Sequence, residues 1–296
     1  MPELPRNKPH IVLRDKGSAE GYTTRGRAPR HHLPQRDRAQ HSALLRAAID
    51  VALAAAQTRQ GERTVGDAKG FYLDFELTPG SEHAAELLEL RTKGIELVAM
   101  REGTNNGPSH ATVFVPDNAS GVFQKKIDDY GTKDTKPRKP GQQPKPQNQE
   151  LIARLQSVAI ADLRSIFTDE IGGFPKPGER ICWELWVRPH GWESLVATAE
   201  KLEIQLQTQR RLAFPDREVC LAYADDLAMA RLFVNSDAIA ELRRAKDTPS
   251  IFLSWINREQ AEWARDVANR LVMTLVGAAP RTIAARVDAQ GNRQLR

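Results

Sequence analysis

The chain of 296 residues contains only two cysteines, Cys182 and Cys220, and no apolar run that approaches the ~18 residues of a membrane helix. Two cysteines are too few for a framework of disulfides, so we expect a reducing, cytoplasmic location. The first residues also lack the apolar core of a secretory signal. These absences exclude a disulfide-rich secreted domain and predict that the protein has no membrane partner.

Motifs for catalysis and ligand binding are also absent. The sequence has no HExxH or CxxC pattern for a metal, no GxxxxGK[ST] loop for a phosphate and no GxSxG turn for a nucleophilic serine. Of the seven histidines, His31 and His32 are adjacent, and His41 has no second ligand three or four residues away. We therefore interpret the histidines as structural and expect neither a cofactor nor a metal.

The charge balance favours nucleic acid only weakly. The net charge is +5 and the isoelectric point is about 9.3, which is typical of nucleic-acid-binding proteins. Much of the basic excess, however, lies near the N-terminus and in the stretch TKDTKPRKPGQQPKPQ, where no regular element is predicted. Runs of charged residues outside helices and strands usually serve to keep a chain soluble. Nucleic-acid binding through these basic segments is therefore kept as the alternative function.

The N-terminal part of the chain divides into two segments. Residues 1–36 are predicted to be a flexible basic segment, because they carry little apolar periodicity. Residues 37–62 predict an amphipathic helix that Asp37 caps and Gly61 ends. The apolar face predicted for this helix consists of Leu44, Ala47, Ala48, Val51 and Ala55.

Residues 63–170 show the pattern of a small α+β domain. The predicted order is strand (FYLDFELTP), helix (SEHAAELLELRTKGI), strand (ELVAMRE), strand (ATVFVP) and helix (NASGVFQKKIDDYG). A loop rich in Pro and Lys follows at 131–149, then a fourth strand near 156–161 and a short helix capped by Asp162. The side chains predicted to point inward from the first strand are Phe71, Leu73, Phe75 and Leu77.

Residues 171–263 show a similar pattern, and 264–296 are predicted to be the end of a C-terminal helix and a tail. The predicted order is strand (ICWELWV), helix (WESLVATAEKL), strand (IQLQTQRRLAF), one long strand or two (REVCLAYADDLAMARLFV), helix (SDAIAELRRAKD) and closing strand (PSIFLSW). The inward side chains of the first of these strands are Ile181, Trp183, Leu185 and Val187.

Two phrases suggest an internal repeat. ATVFVPDNA begins at Ala111, and ARLFVNSDA begins at Ala230. The strand FYLDFELTP also matches ICWELWVRP position by position when Phe71 is aligned with Ile181. We therefore predict an α+β protein with two tandem ferredoxin-like (βαββαβ) sandwiches. A chance match of two generic α+β segments is the alternative.

The first strands of both copies carry acidic residues. Asp74 and Glu76 share one strand face, and Glu184 takes the place of Asp74 in the second copy. Such carboxylates can hold a cation or act as an acid–base pair, but the outer face of a half-covered sheet commonly carries charges. We prefer that non-catalytic interpretation and keep an enzyme site around Asp74 and Glu76 as an alternative.

Binding of RNA by the sheets is disfavoured. RNA-recognition modules stack bases on aromatic side chains of the first and third strands. The predicted third strands contribute one aromatic each, Phe114 and Phe233, and no RGFGFVxF-type motif is present.

Four phrases together carry a family resemblance: HLPQRDRAQHSALLRAAI, PQNQELIARLQSVAIADLRSIFTDE, GERICWELWVRPHG and FLSWINREQAEWARDVANRL. They resemble the long N-terminal region of bacterial subtilisin-like serine peptidases (subtilases), from about Lys8 to about Leu271. In that family a catalytic domain follows, with Asp-Thr-Gly, His-Gly-Thr and Gly-Thr-Ser motifs, none of which occurs here. We expect this chain not to be an enzyme by itself, and to be either the N-terminal part of a serine endopeptidase or a stand-alone relative.

The resemblance implies a propeptide-like or regulatory role. Subtilase propeptides are ferredoxin-like, dock their sheet on the protease, and act as folding aids and inhibitors. The implied partner is a subtilisin-like protease domain, in cis or in trans, or another regulatory protein. Trp186 and Trp192 are candidate anchors because aromatic side chains dominate interface energetics. Asp74, Glu76 and Glu184 are the candidate polar contacts.

Overall fold

A computed structural model describes residues 33–66, 68–103, 107–137, 143–246 and 256–270, and the backbone of 286–287 and 293–294. The chain divides into two compact units. Unit 1 comprises Met1–Thr168 and Val234–Asp237, and unit 2 comprises Asp169–Phe233 and Ala238–Arg296. Each unit is mixed α/β and contains one four-stranded antiparallel sheet.

In its described residues, unit 1 contains three α-helices and four strands. In chain order they are α1 (Arg38–Glu62), β1 (Gly70–Leu77), β2 (Glu96–Arg101), β3 (Ser109–Pro116), α2 (Val122–Thr132), α3 (Gln149–Ile152) and β4 (Leu155–Ile160). Short 3-10 helices lie at Glu82–Leu88, Arg91–Lys93, Asp117–Ala119 and Leu163–Ile166. The strand order is β2-β3-β1-β4, and every neighbouring pair is antiparallel.

Helix α1 begins where the sequence predicts, because the Asp37 carboxylate accepts a hydrogen bond from the backbone N–H of Gln40 at 2.7 Å. The predicted packing face is wrong for its bulky members, although Ala48 is half-buried against the core. Leu44 is 62% exposed and Val51 71% exposed. The helix instead packs on β4 and α2 through His41, Leu45, Ile49, Ala52 and Ala56. Helix α1 carries apolar residues on two faces, and the face with the bulky pair Leu45 and Ile49 takes the core.

The core of unit 1 follows the predicted alternation along β1. Phe71, Leu73, Phe75 and Leu77 are buried, and the ring centroids of Phe75 and Phe123 on α2 lie 4.8 Å apart. The helix predicted between β1 and β2 is only two 3-10 segments, and the second ends at the predicted Gly94, whose φ is 69°. Strand β4 lies within one residue of its prediction, and Asp162 caps the 3-10 helix after it through a capping box.

The predicted Pro- and Lys-rich loop is partly regular at its two ends. Helix α2 continues to Thr132, and α3 begins at Gln149. The Thr135 N–H donates to the Lys145 carbonyl at 2.7 Å, and the Gln147 N–H donates to the Lys133 carbonyl at 3.0 Å. These bonds close the base of the loop, so its two ends lie side by side.

Unit 2 also has helices and a four-stranded sheet. In chain order they are β5 (Ile181–Val187), α4 (Trp192–Lys201), β6 (Leu212–Ala213), β7 (Glu218–Ala224), α5 (Asp226–Asn235), β8 (Ile239–Arg244) and α6 (Asn257–Arg270). The strand order is β6-β7-β5-β8, again antiparallel throughout. Two further short strands, β9 (Arg286–Val287) and β10 (Arg293–Gln294), pair with each other.

Several predictions in unit 2 are wrong. The phrase ARLFV, predicted as strand, lies in α5, and SDAIAELRRAKD, predicted as helix, contains β8. The predicted strand IQLQTQRRLAF retains only the two residues of β6 and a 3-10 turn at Thr208–Arg210. The Ala, Glu, Leu and Arg residues of β8 favour helix, but pairing with β5 overrides that weak preference. The predicted closing strand PSIFLSW lies outside the described residues.

The first strands of the two sheets end in the same local geometry. The pairing of β1 with β4 shifts register between Glu76 and Leu77, and that of β5 with β8 shifts between Trp186 and Val187, 110 residues later. Left-handed residues follow at the same spacing, Gly80 with φ 74° and His190 with φ 62°.

Strand register corrects the predicted third strand of unit 2. Leu73 faces Val113 in one sheet, and Trp183 faces Ala222 in the other. The segment of unit 2 that is equivalent to ATVFVPDNA is therefore CLAYADDLA, which begins at Cys220. The match with ARLFVNSDA aligns a strand of unit 1 with a helix of unit 2. Among the described residues, no helix is both long enough and apolar enough to cross a bilayer.

Candidate protein-binding surface

The sheet of unit 2 has one buried face and one partly exposed face. The side chains of Ile181, Trp183, Leu185 and Val187 are buried as predicted, and the Trp183 indole N–H donates to the Ala224 carbonyl at 3.0 Å. Because side chains alternate along a strand, the intervening residues define the opposite side. This outer face carries Cys182, Glu184, Trp186, Leu212, Val219, Leu221, Tyr223, Glu241 and Arg243.

Trp186 is fixed at one end of the outer face. Its indole N–H donates to the Glu184 carboxylate at 2.7 Å. The Phe214 ring stacks with it at 5.9 Å between centroids, and the Arg243 guanidinium carbon lies 4.6 Å from its ring centre. Arg243 is held in turn by an ion pair with Glu241. The indole is therefore held in one orientation, as an interface anchor requires.

Large apolar side chains at the outer face and its edge remain exposed to solvent. Leu212 is 59% exposed, Tyr223 52% and Phe214 48%. The Arg180 guanidinium carbon lies 5.1 Å from the centre of the Tyr223 ring. Tyr223 and Phe214 were not predicted as site residues. Tyr223 lay in a predicted strand that extended too far, to Val234, and Phe214 lay in the predicted second strand. The alternating run VCLAYA was the signal that places Tyr223 on the outer face.

Trp192 does not share this face. It is the first residue of α4, and the Arg211 guanidinium carbon lies 4.6 Å from its ring centre. Arg211 also forms an ion pair with Glu218 at 2.9 Å, and Glu218 lies opposite Val187, an inward-facing residue. The structure therefore separates the two tryptophans that the sequence analysis grouped as anchors.

The sheet of unit 1 has a covered outer face. Residues after β4 cross it, and Leu163, Ile166 and Phe167 are buried there. The Thr112 hydroxyl donates to the Ser165 carbonyl at 2.8 Å, which ties the crossing segment to β3. The outer faces of the two sheets therefore differ in the described residues.

Asp74 lies within this covered face. Its carboxylate accepts from Arg101 Nη2 at 2.9 Å and from the Ser165 hydroxyl at 3.3 Å, and His110 Nδ1 lies 3.2 Å away. Glu76 accepts instead from the Ser157 hydroxyl at 3.0 Å. The two carboxylates therefore have separate hydrogen-bond partners and are not arranged as an acid–base pair.

The neighbourhood of Asp74, His110 and Ser165 contains the residue types of a serine-hydrolase triad, but not its geometry. A nucleophilic serine needs a hydrogen bond to the imidazole that removes its proton. The Ser165 hydroxyl instead contacts the carboxylates of Asp74 and Asp162, and the residue is 5% exposed. These contacts hold the crossing segment in place and do not activate a nucleophile.

The cysteines lie on opposite faces of the unit 2 sheet. Cys182 faces outward, and Cys220 lies opposite the inward-facing Leu185. Burial raises the pKa of the Cys220 thiol to about 12 and also raises the pKa of Cys182. Both thiols are therefore protonated at neutral pH. In the described part of the chain, no three or more His, Cys, Asp and Glu side chains converge as metal ligands.

A polar groove of about 450 Å³ lies between α1 and the start of α2 in unit 1. Its carboxylates already have partners. The Gln124 side-chain amide donates to Asp50 at 2.6 Å, and that of Gln60 donates to Asp117 at 2.5 Å. We assign no ligand to this groove.

Comparison with protein-family models and with curated proteins finds no match to the chain. Function must therefore be argued from the surface and from the sequence resemblance.

Proposed function

We propose that the chain is a non-catalytic protein-binding module made of two tandem ferredoxin-like sandwiches. Both sheets have the order second-third-first-fourth, with helical segments after the first and third strands, which supports this fold. The equivalent register shifts and left-handed residues at the ends of β1 and β5 support an internal repeat.

The exposed aromatic surface of unit 2 is the observation that supports binding. Exposed large apolar side chains on the same sheet face as a fixed tryptophan are typical of protein interfaces, which favour aromatic residues and arginine. Glu184, Arg180 and Arg243 supply charges beside them. Among the described residues, the covered outer face of unit 1 offers no such surface, so we assign the contact to unit 2.

The proposed partner is a subtilisin-like protease domain, in cis or in trans, as the resemblance implies. The chain would act as an intramolecular chaperone or inhibitor by occupying a surface of that domain. A reducing, cytoplasmic location remains part of this proposal. The placement of the two thiols on opposite sheet faces supports it, because they cannot form a disulfide with each other.

The test measures binding and inhibition of a purified bacterial subtilisin by the full chain. Trp186→Ala should weaken binding by about 30-fold or more, the size of effect expected for a buried aromatic anchor. Tyr223→Ala should also weaken it. Leu227→Ala is the matched control, since Leu227 is 69% exposed on α5. Equal binding by the Trp186 and Leu227 variants, each shown folded by circular dichroism, would refute the assigned surface.

Single-stranded nucleic acid is the second candidate for the same surface. Trp186 on β5 and Tyr223 on β7 place aromatics on the first and third strands, each with a guanidinium against it. Phe233, which was predicted to be the aromatic of the third strand, lies in α5. Phe214 and Arg243 already contact the Trp186 ring, however, which leaves less of it for a base.

Fluorescence anisotropy with labelled single-stranded RNA and DNA distinguishes the two candidates. The protein for this assay lacks residues 1–36 and 136–144, which removes much of the basic excess. Salt-dependent binding that survives these deletions and is lost in Tyr223→Ala would favour nucleic acid. No binding at low salt would favour a protein partner.

A further inference from the structure

Helix α1 has a second apolar face, which does not pack on β4 and is exposed to solvent. Leu44 and Val51 are 62% and 71% exposed, and Ala47, Ala54, Thr58 and Gly61 are exposed too. The Thr58 hydroxyl donates to the Ala54 carbonyl at 3.1 Å, so this side chain has already satisfied its donor. A continuous row of apolar and small side chains therefore faces solvent.

The spacing of this row is that of a coiled-coil seam. Leu44, Val51 and Thr58 repeat every seven residues, and so do Ala47, Ala54 and Gly61. The two series are offset by three residues, as a and d positions are in a heptad. The first series is branched and the second is small.

An antiparallel copy of the same helix complements this row. In antiparallel coiled coils an a position of one helix packs against a d position of the other. Placing Val51 opposite Ala54 of a second copy brings Leu44 opposite Gly61, and Ala47 opposite Thr58. Every layer then joins one branched side chain with one small residue, which allows the helices to approach closely.

The polar residues beside the row are compatible with this register. Asp50 comes next to Gln57 of the second copy, so no like charges meet. On the other side Ala48 comes next to Ala55 of the second copy. Asp50 is already hydrogen-bonded to Arg46 and Gln124 within its own chain, which fixes it away from the seam.

We propose that α1 pairs antiparallel with α1 of a second copy of this chain through the row Leu44, Ala47, Val51, Ala54, Thr58 and Gly61. The contact is isologous, as a twofold axis requires. It spans only about two heptads, less than the ~800 Å² per partner of a standard interface, so the dimer is weak and depends on concentration. It uses different residues from the protease-binding surface, and the two proposals can fail independently.

Sedimentation equilibrium of the full chain tests the pairing. The weight-average mass should rise from 33.1 kDa toward twice that value between ~1 and ~300 µM protein. Val51→Lys should weaken association by more than about tenfold, because the lysines of the two copies then lie in adjacent layers at the centre of the seam. Leu227→Lys, an equally exposed site on α5, should have no effect. A monomer at every concentration, or equal effects of the two lysines, would overturn the proposal.

Cysteine cross-linking tests the register in a Cys182→Ser, Cys220→Ala background. Chains with Val51→Cys mixed with chains with Ala54→Cys should cross-link to each other faster than either does to itself. A parallel pair would instead cross-link Val51→Cys chains to one another, and that result would overturn the antiparallel register.

Discussion

Replacing Ile49 with alanine tests which face of α1 packs in unit 1. Ile49 is fully buried, and its neighbours along the same face include Leu45 and Ala52, which are 1% and 2% exposed. Val51, two residues away on the same helix, is 71% exposed and serves as the matched control. The two alanine variants remove apolar groups of similar size from opposite environments.

The expected difference is large. Truncation of a buried isoleucine to alanine costs about 2–5 kcal/mol, from lost burial and from the cavity left behind. The small Ala52 and Ala56 beside Ile49 cannot fill that cavity, so we expect about 3–4 kcal/mol. Val51→Ala removes no core contact and gains slightly in helix propensity, so its effect should stay within about 0.5 kcal/mol.

Urea unfolding in dilute protein measures the difference. With a denaturant slope of about 2 kcal/mol/M, Ile49→Ala should lower the midpoint by about 1.5–2 M. Far-UV circular dichroism follows the helices, of which α1 is the longest in the described residues. Tryptophan fluorescence follows unit 2, since all five tryptophans fall in its sequence. A loss for Val51→Ala that equals or exceeds that for Ile49→Ala would refute the packing described here.

Three further predictions concern unit 1. Burial lowers the pKa of His41, so the imidazole stays neutral in the native protein at a pH where the unfolded chain binds a proton. The free energy of unfolding should therefore fall as the pH drops below about 6.5 and level off below the lowered native pKa. Urea midpoints measured over this pH range should show the fall in the native sequence and not in His41→Gln. Asp162→Ala removes the capping box and should cost about 1 kcal/mol by the same assay. Asp74→Ala should cost about 2–3 kcal/mol by leaving Arg101 without its carboxylate, yet leave a broad peptide and ester panel unchanged; any hydrolysis that this variant abolishes would contradict a non-catalytic role.

Strands with strict alternation were predictable from the sequence. The apolar residues of β1 and β5 recur at every second position, and the structure buries the predicted members of both strands. Asp37 and Asp162 were also identifiable, because a short acidic side chain before a helical pattern is a local signal.

Elements that depend on distant contacts were not predictable. The segment around Ile239 has the composition of a helix and becomes a strand because β5 offers it a partner. The choice between two apolar faces of α1 is likewise made by the shape of the sheet and α2. The covered face of unit 1 depends on the hydrogen bond between Thr112 and Ser165, which are more than 50 residues apart. No local sequence pattern predicts that contact.

The candidate surface was found only in part. Trp186 was identified as an aromatic in a strand, but the residues that fix and extend its surface, Phe214, Tyr223 and Arg243, come from three other places in the chain. Their meeting requires the antiparallel register of β5 with β7 and β8.

The closed base of the loop after α2 has a practical consequence. The Thr135 N–H donates to the Lys145 carbonyl, so the two ends of the loop lie side by side. Material inserted between them, such as a fluorescent label or an affinity tag, adds no strain to β3 or β4. This position is therefore a suitable insertion site that is remote in sequence from both proposed interfaces.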